Sequence, residues 1–173
     1  MRFLIIGAPS SGKTTIITEL KKIGHNVVYE AARDYIEEKQ KLDPTFGTSK
    51  DPLAAQIEIF KEQIKREEEI DDPCFVEAGT TSNIIYLLIN NTEVPDSFKS
   101  QLKRYDVVFL LEKNPKYVSD GVRNEYENKI DEIELLLEST HRELGYDVIR
   151  IPFIPVKDRL TMILKEVSGQ EEI

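Results

Sequence analysis

The sequence predicts an α/β protein in which a parallel sheet is flanked by helices. Short, continuous apolar runs alternate with longer segments whose apolar residues recur at helical spacing. Continuous apolar runs are typical of strands buried on both faces, and their alternation with helices is typical of parallel sheets. No repeat, linker or low-complexity tract interrupts the chain, so we expect one domain over residues 1–173.

Five apolar runs have the length and composition of strands. The first run ends at a glycine and the fifth is closed by a proline, and both residue types commonly end strands. The predicted strands are Phe3–Ile6, Val27–Tyr29, Cys74–Val76, Val107–Leu111 and Val148–Ile151. Because Cys74 lies inside one of them, we expect its thiol to be a buried hydrophobic group.

Helical patterns fill the segments between these strands. Asp51 followed by Pro52 predicts a helix start, since aspartate caps helix N-termini and proline favours the first helical position. Helices are predicted over residues 13–22, 31–41 and 82–90. A further helix begins at Pro52, another contains the stripe from Tyr126 to Leu137, and the last ends at Ser168 and Gly169. The charged residues 65–69 predict a solvated surface at the end of the helix that starts at Pro52.

Net charge and cysteine content exclude several classes of function. The formal net charge is −9, which argues against binding to DNA or RNA polymers and to an anionic membrane, because both need a basic surface. One cysteine and two histidines do not make a disulfide framework or a zinc cluster. The apolar run at the N-terminus is too short for a signal peptide, so we expect a cytoplasmic protein.

The segment after the first predicted strand matches G-x-x-x-x-G-K-[ST], the Walker A motif. A strand precedes it and a helix follows it, which is the context in which backbone amides and the helix dipole bind a phosphate group. A chance glycine loop is the alternative, and this context disfavours it. The residues predicted to bind the nucleotide are Gly7, Ala8, Pro9, Ser10, Ser11, Gly12, Lys13, Thr14 and Thr15.

Two side chains of this loop have predicted roles of their own. The ammonium of Lys13 can reach the β- and γ-phosphates of a nucleotide, and the hydroxyl of Thr14 can bind Mg²⁺. The sequence therefore predicts binding of ATP, or another nucleoside triphosphate, together with Mg²⁺. The motif does not distinguish ATP from GTP.

Acidic residues follow the second and third predicted strands. The carboxyl ends of parallel strands meet at one edge of a sheet, so we expect Glu30 and Glu77 to lie near the γ-phosphate. Glu77 is predicted to bind Mg²⁺ directly or through water, and Glu30 to orient or deprotonate an acceptor hydroxyl. The alternatives are a carboxylate that stabilises a helix N-terminus for Glu30 and a buried, paired acid for Glu77.

An arginine lies in a polar loop after the fourth predicted strand. Arg123 belongs to the segment 113–124, which has few apolar residues. Loops of this kind can close over a nucleotide and bring an arginine to the charge that develops during phosphoryl transfer. An ordinary surface arginine before a helix is the alternative.

Several stretches together resemble the AAA-type P-loop proteins that are grouped with the kinase domain of bacterial nicotinamide riboside kinases. They are the Walker A loop, Tyr29–Ile36, Asp51–Gln56, Val107–Leu111, Asp120–Arg123 and Glu143–Tyr146. The resemblance implies a P-loop NTPase fold, similar to that of nucleoside and nucleotide kinases, with strand order 2-3-1-4-5.

The same resemblance carries implications for the site. It implies the roles given above for Lys13, Thr14, Glu30, Glu77 and Arg123, acceptor binding by Arg33, and a nucleotide base near Pro152 and Phe153. One departure concerns the turn after the third strand, where the family usually has Asp-Arg-Gly and this chain has Glu77-Ala78-Gly79. Glutamate keeps the negative charge, but alanine removes a cation that could bind an acceptor or a phosphate.

Besides a domain that binds a nucleotide only for its own stability, which would leave Glu77 and Arg123 without a role, two functions remain open at this point. The first is a kinase that uses ATP and Mg²⁺ to phosphorylate a small nucleoside-like or nucleotide-like acceptor. The second is a regulatory protein that hydrolyses or senses a nucleoside triphosphate without a small acceptor, which the alanine at position 78 favours. The kinase hypothesis requires a second concave site beside the γ-phosphate, lined by Glu30, Arg33 and residues 42–60.

Overall fold

Five parallel strands form one sheet in the order β2-β3-β1-β4-β5, which confirms the predicted fold class and strand order. The computed structural model describes residues 1–100, 104–116 and 124–171. The strands are β1 (Arg2–Ile6), β2 (Asn26–Val28), β3 (Cys74–Glu77), β4 (Val107–Leu111) and β5 (Val148–Ile151). Each lies within one residue of its prediction.

Helices connect these strands and cover the two faces of the sheet. They are α1 (Lys13–Lys22), α2 (Ala31–Leu42), α3 (Pro52–Glu68), α4 (Gly79–Leu88), α5 (Asp96–Lys99), α6 (Ile130–Glu143) and α7 (Val156–Glu171), with 3₁₀ turns at Thr48–Lys50 and Asn124–Lys129. Asp51 caps α3 as predicted, because its carboxylate accepts a hydrogen bond from the Ala54 amide at 3.1 Å. None of the helices in these described ranges has the length and hydropathy of a membrane span.

Several helix boundaries differ from the prediction: α2 ends one residue later, α4 ends two residues earlier, and Tyr126 lies in the 3₁₀ turn before α6. Helix α4 begins at Gly79, three residues earlier than predicted, directly after the turn that closes β3. Helix α7 continues past Gly169 to Glu171, since one glycine in an exposed helix costs only about 1 kcal/mol relative to alanine and does not end it. The short α5 carries no strong periodic pattern and was not predicted.

The core consists of two apolar layers on opposite faces of the sheet. Along β1, Phe3 and Ile5 pack towards α1 and α7, whereas Leu4 and Ile6 pack towards α4 and α6. This alternation follows from the two-residue period of a strand. Burial of each such side chain contributes about 1.5–3 kcal/mol, so the central strand is a rigid support for the loop that follows it.

The predicted solvated surface at residues 65–69 is exposed at Lys65, Glu68 and Glu69, but it needs one correction, because Glu67 is buried. The side chain of Glu67 is 0% exposed and lies on the same face of α3 as Phe60 and Gln63. Its carboxylate is near the guanidinium groups of Arg2, at 3.6 Å, and Arg104, at 3.7 Å. Burial raises the pKa of Glu67, while Gln63, Arg104, Tyr105 and Arg2 oppose that rise.

A histidine joins α6 to α4 inside the core. The ring of His141 is fully buried, with Nδ1 2.6 Å from the Leu137 carbonyl and Nε2 2.7 Å from the Thr81 hydroxyl. A carbonyl only accepts, so Nδ1 carries the proton and Nε2 accepts from Thr81. This arrangement fits the neutral ring, and burial lowers the pKa of His141 to about 4.

We predict a pH-dependent loss of stability that originates in His141. Its pKa falls from 6.5 in the unfolded chain to about 4 in the fold, so the unfolded state binds the proton more tightly. The contribution of His141 to the free energy of unfolding is therefore fully present above pH 6.5, and about 3 kcal/mol of it is lost as the pH drops to about 4. Chemical denaturation at several pH values, with His141→Gln as reference, measures this term. Parallel pH profiles for the two proteins would contradict it.

Candidate active site

The loop between β1 and α1 has the backbone form that a phosphate-binding loop needs. Ser10 has a φ of 62° and Gly12 a φ of 92°, so the chain turns twice through the left-handed region before α1 begins at Lys13. Glycine adopts this conformation without strain. The first amides of α1 have no partners within the helix and are available to an anion.

The ammonium of Lys13 is bound inside this loop. Its Nζ donates to the carbonyl oxygens of Gly7, at 2.9 Å, and Ala8, at 3.1 Å. These contacts fix a positive charge next to the amides of the loop. The Ser11 hydroxyl is also buried there, and it has no hydrogen-bond partner within the described ranges of the chain.

Three predicted site residues come together at the carboxyl ends of β1 and β3. The Thr14 hydroxyl donates to Oε1 of Glu77 at 2.5 Å, and the backbone amide of Glu30 donates to Oε2 of the same carboxylate at 3.3 Å. Glu77 is the last residue of β3 and pairs in register with Ile5 of β1. The parallel register therefore places this carboxylate beside the phosphate-binding loop.

The carboxylate of Glu77 lies in an environment that disfavours its negative charge. Its side chain is only 2% exposed, and burial, followed by the nearby Glu30, raises its pKa. The Thr14 hydroxyl and the Lys13 ammonium offset part of this effect. A cation bound beside the carboxylate would offset it further.

Oxygen donors at this point fit Mg²⁺. The hydroxyl of Thr14 and the carboxylate of Glu77 are hard ligands, and Mg²⁺ commonly takes only one or two protein ligands beside water and phosphate oxygens. No group of three His, Cys, Asp or Glu side chains suited to a metal occurs among the residues that the structure describes. A metal here would therefore complete its coordination with the nucleotide and water.

An open pocket of about 260 Å³ extends from this loop. It is lined by Pro9, Ser10, Gly12, Lys13, Thr14, Thr15, Glu30 and Arg33. Every one of these residues was predicted to bind the nucleotide or the acceptor. The side chain of Arg33 is partly exposed, with Nη1 3.4 Å from Oε1 of Glu37.

A narrow recess lies on the other side of Glu30, between α2, α3 and α4. Two adjoining spaces of about 10 Å³ each share Ala32, Gln56, Ile59 and Tyr86 in their walls. Polar groups also face it, since Asn83 donates through Nδ2 to Oε1 of Gln56 at 2.8 Å. Each space has room for about one water molecule, so an acceptor would fit there only if the surrounding helices moved apart. Arg33, which was expected to line the second concave site, lines the open pocket instead.

Arg159 is a residue of this region that the sequence analysis missed. Its side chain is 4% exposed and donates to the carbonyls of Ser11 and Ile154, each at 2.7 Å, while its guanidinium stacks 4.3 Å from the ring centre of Phe153. It thereby ties the segment after β5 to the phosphate-binding loop. Its place one turn before Ile163 on the buried face of α7 is the signal that could have revealed it. The predicted Arg123 lies outside the described residues.

Comparisons with known proteins agree with this geometry. A family model described as an AAA domain matches residues 2–159. The chain belongs to this AAA domain family. The resemblance inferred from the sequence is thereby confirmed, and a search of curated proteins gives no significant match.

Several solved P-loop kinases share the fold of this AAA domain. A deoxyadenosine kinase from M. mycoides, with the products dCMP and dCDP, is 19% identical, covers 98% of this chain and 99% of its own, and has a TM-score of 0.66. A thymidylate kinase from Candida albicans is 14% identical over 98% and 92% of the chains, with a TM-score of 0.66. A NadR protein in complex with NR is 18% identical over 87% of this chain and 43% of its own, with a TM-score of 0.62.

Replacement of Lys13 by alanine is expected to weaken nucleotide binding without unfolding the AAA domain. Hydrogen bonds from a charged group contribute about 1.5–3 kcal/mol, which corresponds to a roughly 10- to 150-fold loss of ATP affinity. Calorimetric titration measures this loss, with Lys22→Ala as the control because Lys22 lies exposed on the same helix. Equal affinity in both variants would refute the assignment of this loop.

Replacement of Glu77 by glutamine is expected to reduce the effect of Mg²⁺ on nucleotide binding. The amide keeps the shape and an acceptor for the Thr14 hydroxyl, but it removes the charge that a cation would bind. Affinity for a non-hydrolysable ATP analogue, titrated with and without Mg²⁺, should lose most of its metal dependence and keep its metal-free value. Glu58→Gln, an exposed site on α3, is the control. Unchanged metal dependence would remove Glu77 from the metal site.

Proposed function

We propose that this protein is a phosphotransferase that moves the γ-phosphoryl group of ATP, bound with Mg²⁺, to a hydroxyl of a small nucleoside-like acceptor. The observation that carries the proposal is the position of Glu30. This residue lines both the open pocket at the phosphate-binding loop and the recess between α2, α3 and α4. A carboxylate shared by two neighbouring sites is placed to act on a group that passes between them.

The donor side of the proposal rests on the phosphate-binding loop. Lys13 supplies a fixed charge, and the first amides of α1 supply donors to phosphate oxygens. Thr14 and Glu77 would bind the metal, which neutralises charge on the β- and γ-phosphates when present. The segment between Phe153 and Arg159 adjoins the phosphate-binding loop and would contact the base of the nucleotide.

The acceptor side rests on the walls of the recess. Gln56 and Asn83 offer amide groups, Tyr86 offers an aromatic ring, and Glu30 carries the charge at the mouth. No lysine or arginine lines the recess within the described ranges, and Ala78 stands where the family usually has an arginine. We therefore propose an acceptor that is uncharged or cationic rather than one that already carries a phosphate.

In the proposed reaction Glu30 orients the acceptor hydroxyl and receives its proton. The hydroxyl oxygen forms the new bond to the γ-phosphorus as the bond from that phosphorus to the β–γ bridging oxygen breaks, and ADP leaves with the electron pair. Arg33, at the rim of the open pocket, would guide the acceptor. Arg123 would approach the phosphates and stabilise the transferring group.

Ligands of the similar structures support this class of acceptor. The M. mycoides enzyme is described as a deoxyadenosine kinase with the products dCMP and dCDP, and the NadR protein is in complex with NR. The net charge of −9 and the single, buried cysteine favour a cytoplasmic protein that acts on small molecules rather than on DNA, RNA or a membrane.

A second candidate is a nucleoside triphosphatase that regulates a protein partner. Ala78 favours this function, because the lost cation is one that would contact an acceptor or a phosphate. Such a protein would release phosphate to water, and its rate would not depend on a small acceptor.

One experiment separates the two functions. Incubation with Mg²⁺ and ATP, with a panel of nucleosides and nucleoside monophosphates, should give a phosphorylated nucleoside and an equal amount of ADP. Glu30→Gln should lower this transfer by about 10²- to 10⁴-fold, the usual contribution of a general base. Glu38→Gln, an exposed acid on α2, is the control. Phosphate release at one rate with and without acceptors, insensitive to Glu30→Gln, would refute the kinase.

A further inference from the structure

Two distant side chains cap the helices that follow the acidic residues of the site. The amide of Ala31, the first residue of α2, donates to Oε1 of Gln63 at 2.9 Å. The amide of Thr80, in the first turn of α4, donates to the hydroxyl of Tyr105 at 2.7 Å. The first amides of a helix have no partner in the helix itself, so these contacts fix where α2 and α4 begin.

Both capping side chains bind one oxygen of Glu67. Nε2 of Gln63 donates to Oε1 of Glu67 at 3.1 Å, and the Tyr105 hydroxyl donates to the same atom at 3.0 Å. The Glu67 side chain is fully buried, and its other oxygen faces Arg2 and Arg104. The two arginines favour the ionised carboxylate and so oppose the rise in its pKa that burial causes.

The chemistry of a carboxylate determines the direction of these hydrogen bonds. An ionised Glu67 only accepts, so the amide nitrogen of Gln63 turns towards it and the Gln63 carbonyl turns towards Ala31. The single proton of Tyr105 likewise points at Glu67, which leaves an oxygen lone pair for the Thr80 amide. A neutral or missing partner at position 67 would allow both capping groups to reverse.

We propose that Glu67 is a positioning residue that sets the separation of Glu30 and Glu77. Glu30 immediately precedes the capped amide of Ala31, and Glu77 lies three residues before that of Thr80. The two turns also meet directly, since Oε2 of Glu77 accepts from the Glu30 amide at 3.3 Å. The network thus acts on the distance between a proposed base and a proposed metal ligand, and this inference rests on the proposed function.

The contact between Thr80 and Tyr105 leaves no room for the turn at Ala78 and Gly79 to shift. Ala78 and Gly79 have φ values of 62° and 59°, and a side chain at Gly79 would lie 2.4 Å from the Tyr105 hydroxyl. The tyrosine oxygen therefore occupies the space directly over the turn that carries Glu77. Catalytic groups need positions fixed to within about 0.5 Å, and this is a contact that can supply such precision.

The test compares Tyr105→Phe with Thr81→Val. Each variant removes one buried hydroxyl near the start of α4, but Thr81 bonds His141 and lies outside the Glu67 network. Both should lower the unfolding free energy. Only Tyr105→Phe should weaken the Mg²⁺ enhancement of binding of a non-hydrolysable ATP analogue, by about 3- to 10-fold as expected for one lost hydrogen bond, with unchanged metal-free affinity. Equal Mg²⁺ enhancement in both variants would overturn the proposal.

A second experiment tests the hydrogen bonds that Gln63 makes with Glu67 and Ala31. Gln63→Met keeps the length of the side chain and removes the cap on Ala31, so hydrogen exchange at the amides of Ala31 and of the α2 start should accelerate. In nucleoside transfer it should lower kcat by a larger factor than it raises KM. Unchanged exchange, or equal changes in kcat and KM, would overturn the proposal.

The experiment also separates this inference from the proposed function. Mg²⁺ enhancement and hydrogen exchange need no acceptor and no turnover, so they report on Glu67 even if the protein transfers no phosphate. Glu67→Gln should lower stability strongly, because two partly buried arginines lose their counter-charge. The two milder variants keep the test open should that variant fail to fold.

Discussion

The bridge that Glu77 makes between the Thr14 hydroxyl and the Glu30 amide is the contact on which the site depends. One carboxylate there joins the helix after β1, the turn after β2 and the end of β3. The parallel register of β1 and β3 makes this possible, since it places Glu77 opposite Ile5, next to the phosphate-binding loop. A shift of one residue would turn the carboxylate to the other face of the sheet.

Burial gives this bridge its chemical character. Burial and a second acid nearby both disfavour the ionised form of a carboxylate, and they raise the pKa of Glu77. The protein supplies partial relief through one hydroxyl, one amide and one ammonium. A bound cation would offset the remaining cost, and this is the electrostatic argument for the proposed metal site.

The fold was largely predictable because its signals are local. Five apolar runs, the Asp51 cap and the glycine-rich loop each depend on a few adjacent residues, and the structure places them where expected. Eight of the predicted site residues also line one pocket, because strand ends in a parallel sheet share an edge.

The burial of two charged side chains, Glu67 and Arg159, could not be predicted from the sequence. Glu67 stands in a run of charged residues that looks solvated, and its burial depends on arginines 65 and 37 residues away along the chain. Arg159 is similar, because its partner is a carbonyl of the phosphate-binding loop. Such pairs follow from the tertiary fold, and no local pattern specifies them. Spacing does give a hint, since Gln56, Phe60, Gln63 and Glu67 share one face of α3.

The contrast between the open pocket and the nearly filled recess bears on how such a protein would avoid wasting ATP. Water is a competing acceptor that is always present, and a solvated base beside a bound triphosphate would promote its attack. Side chains fill most of the recess, so water has little room on that side of Glu30, although the residue also lines the open pocket. In the proposed kinase an acceptor would have to part α2, α3 and α4 to enter, so the work of opening the recess would be done only when an acceptor binds.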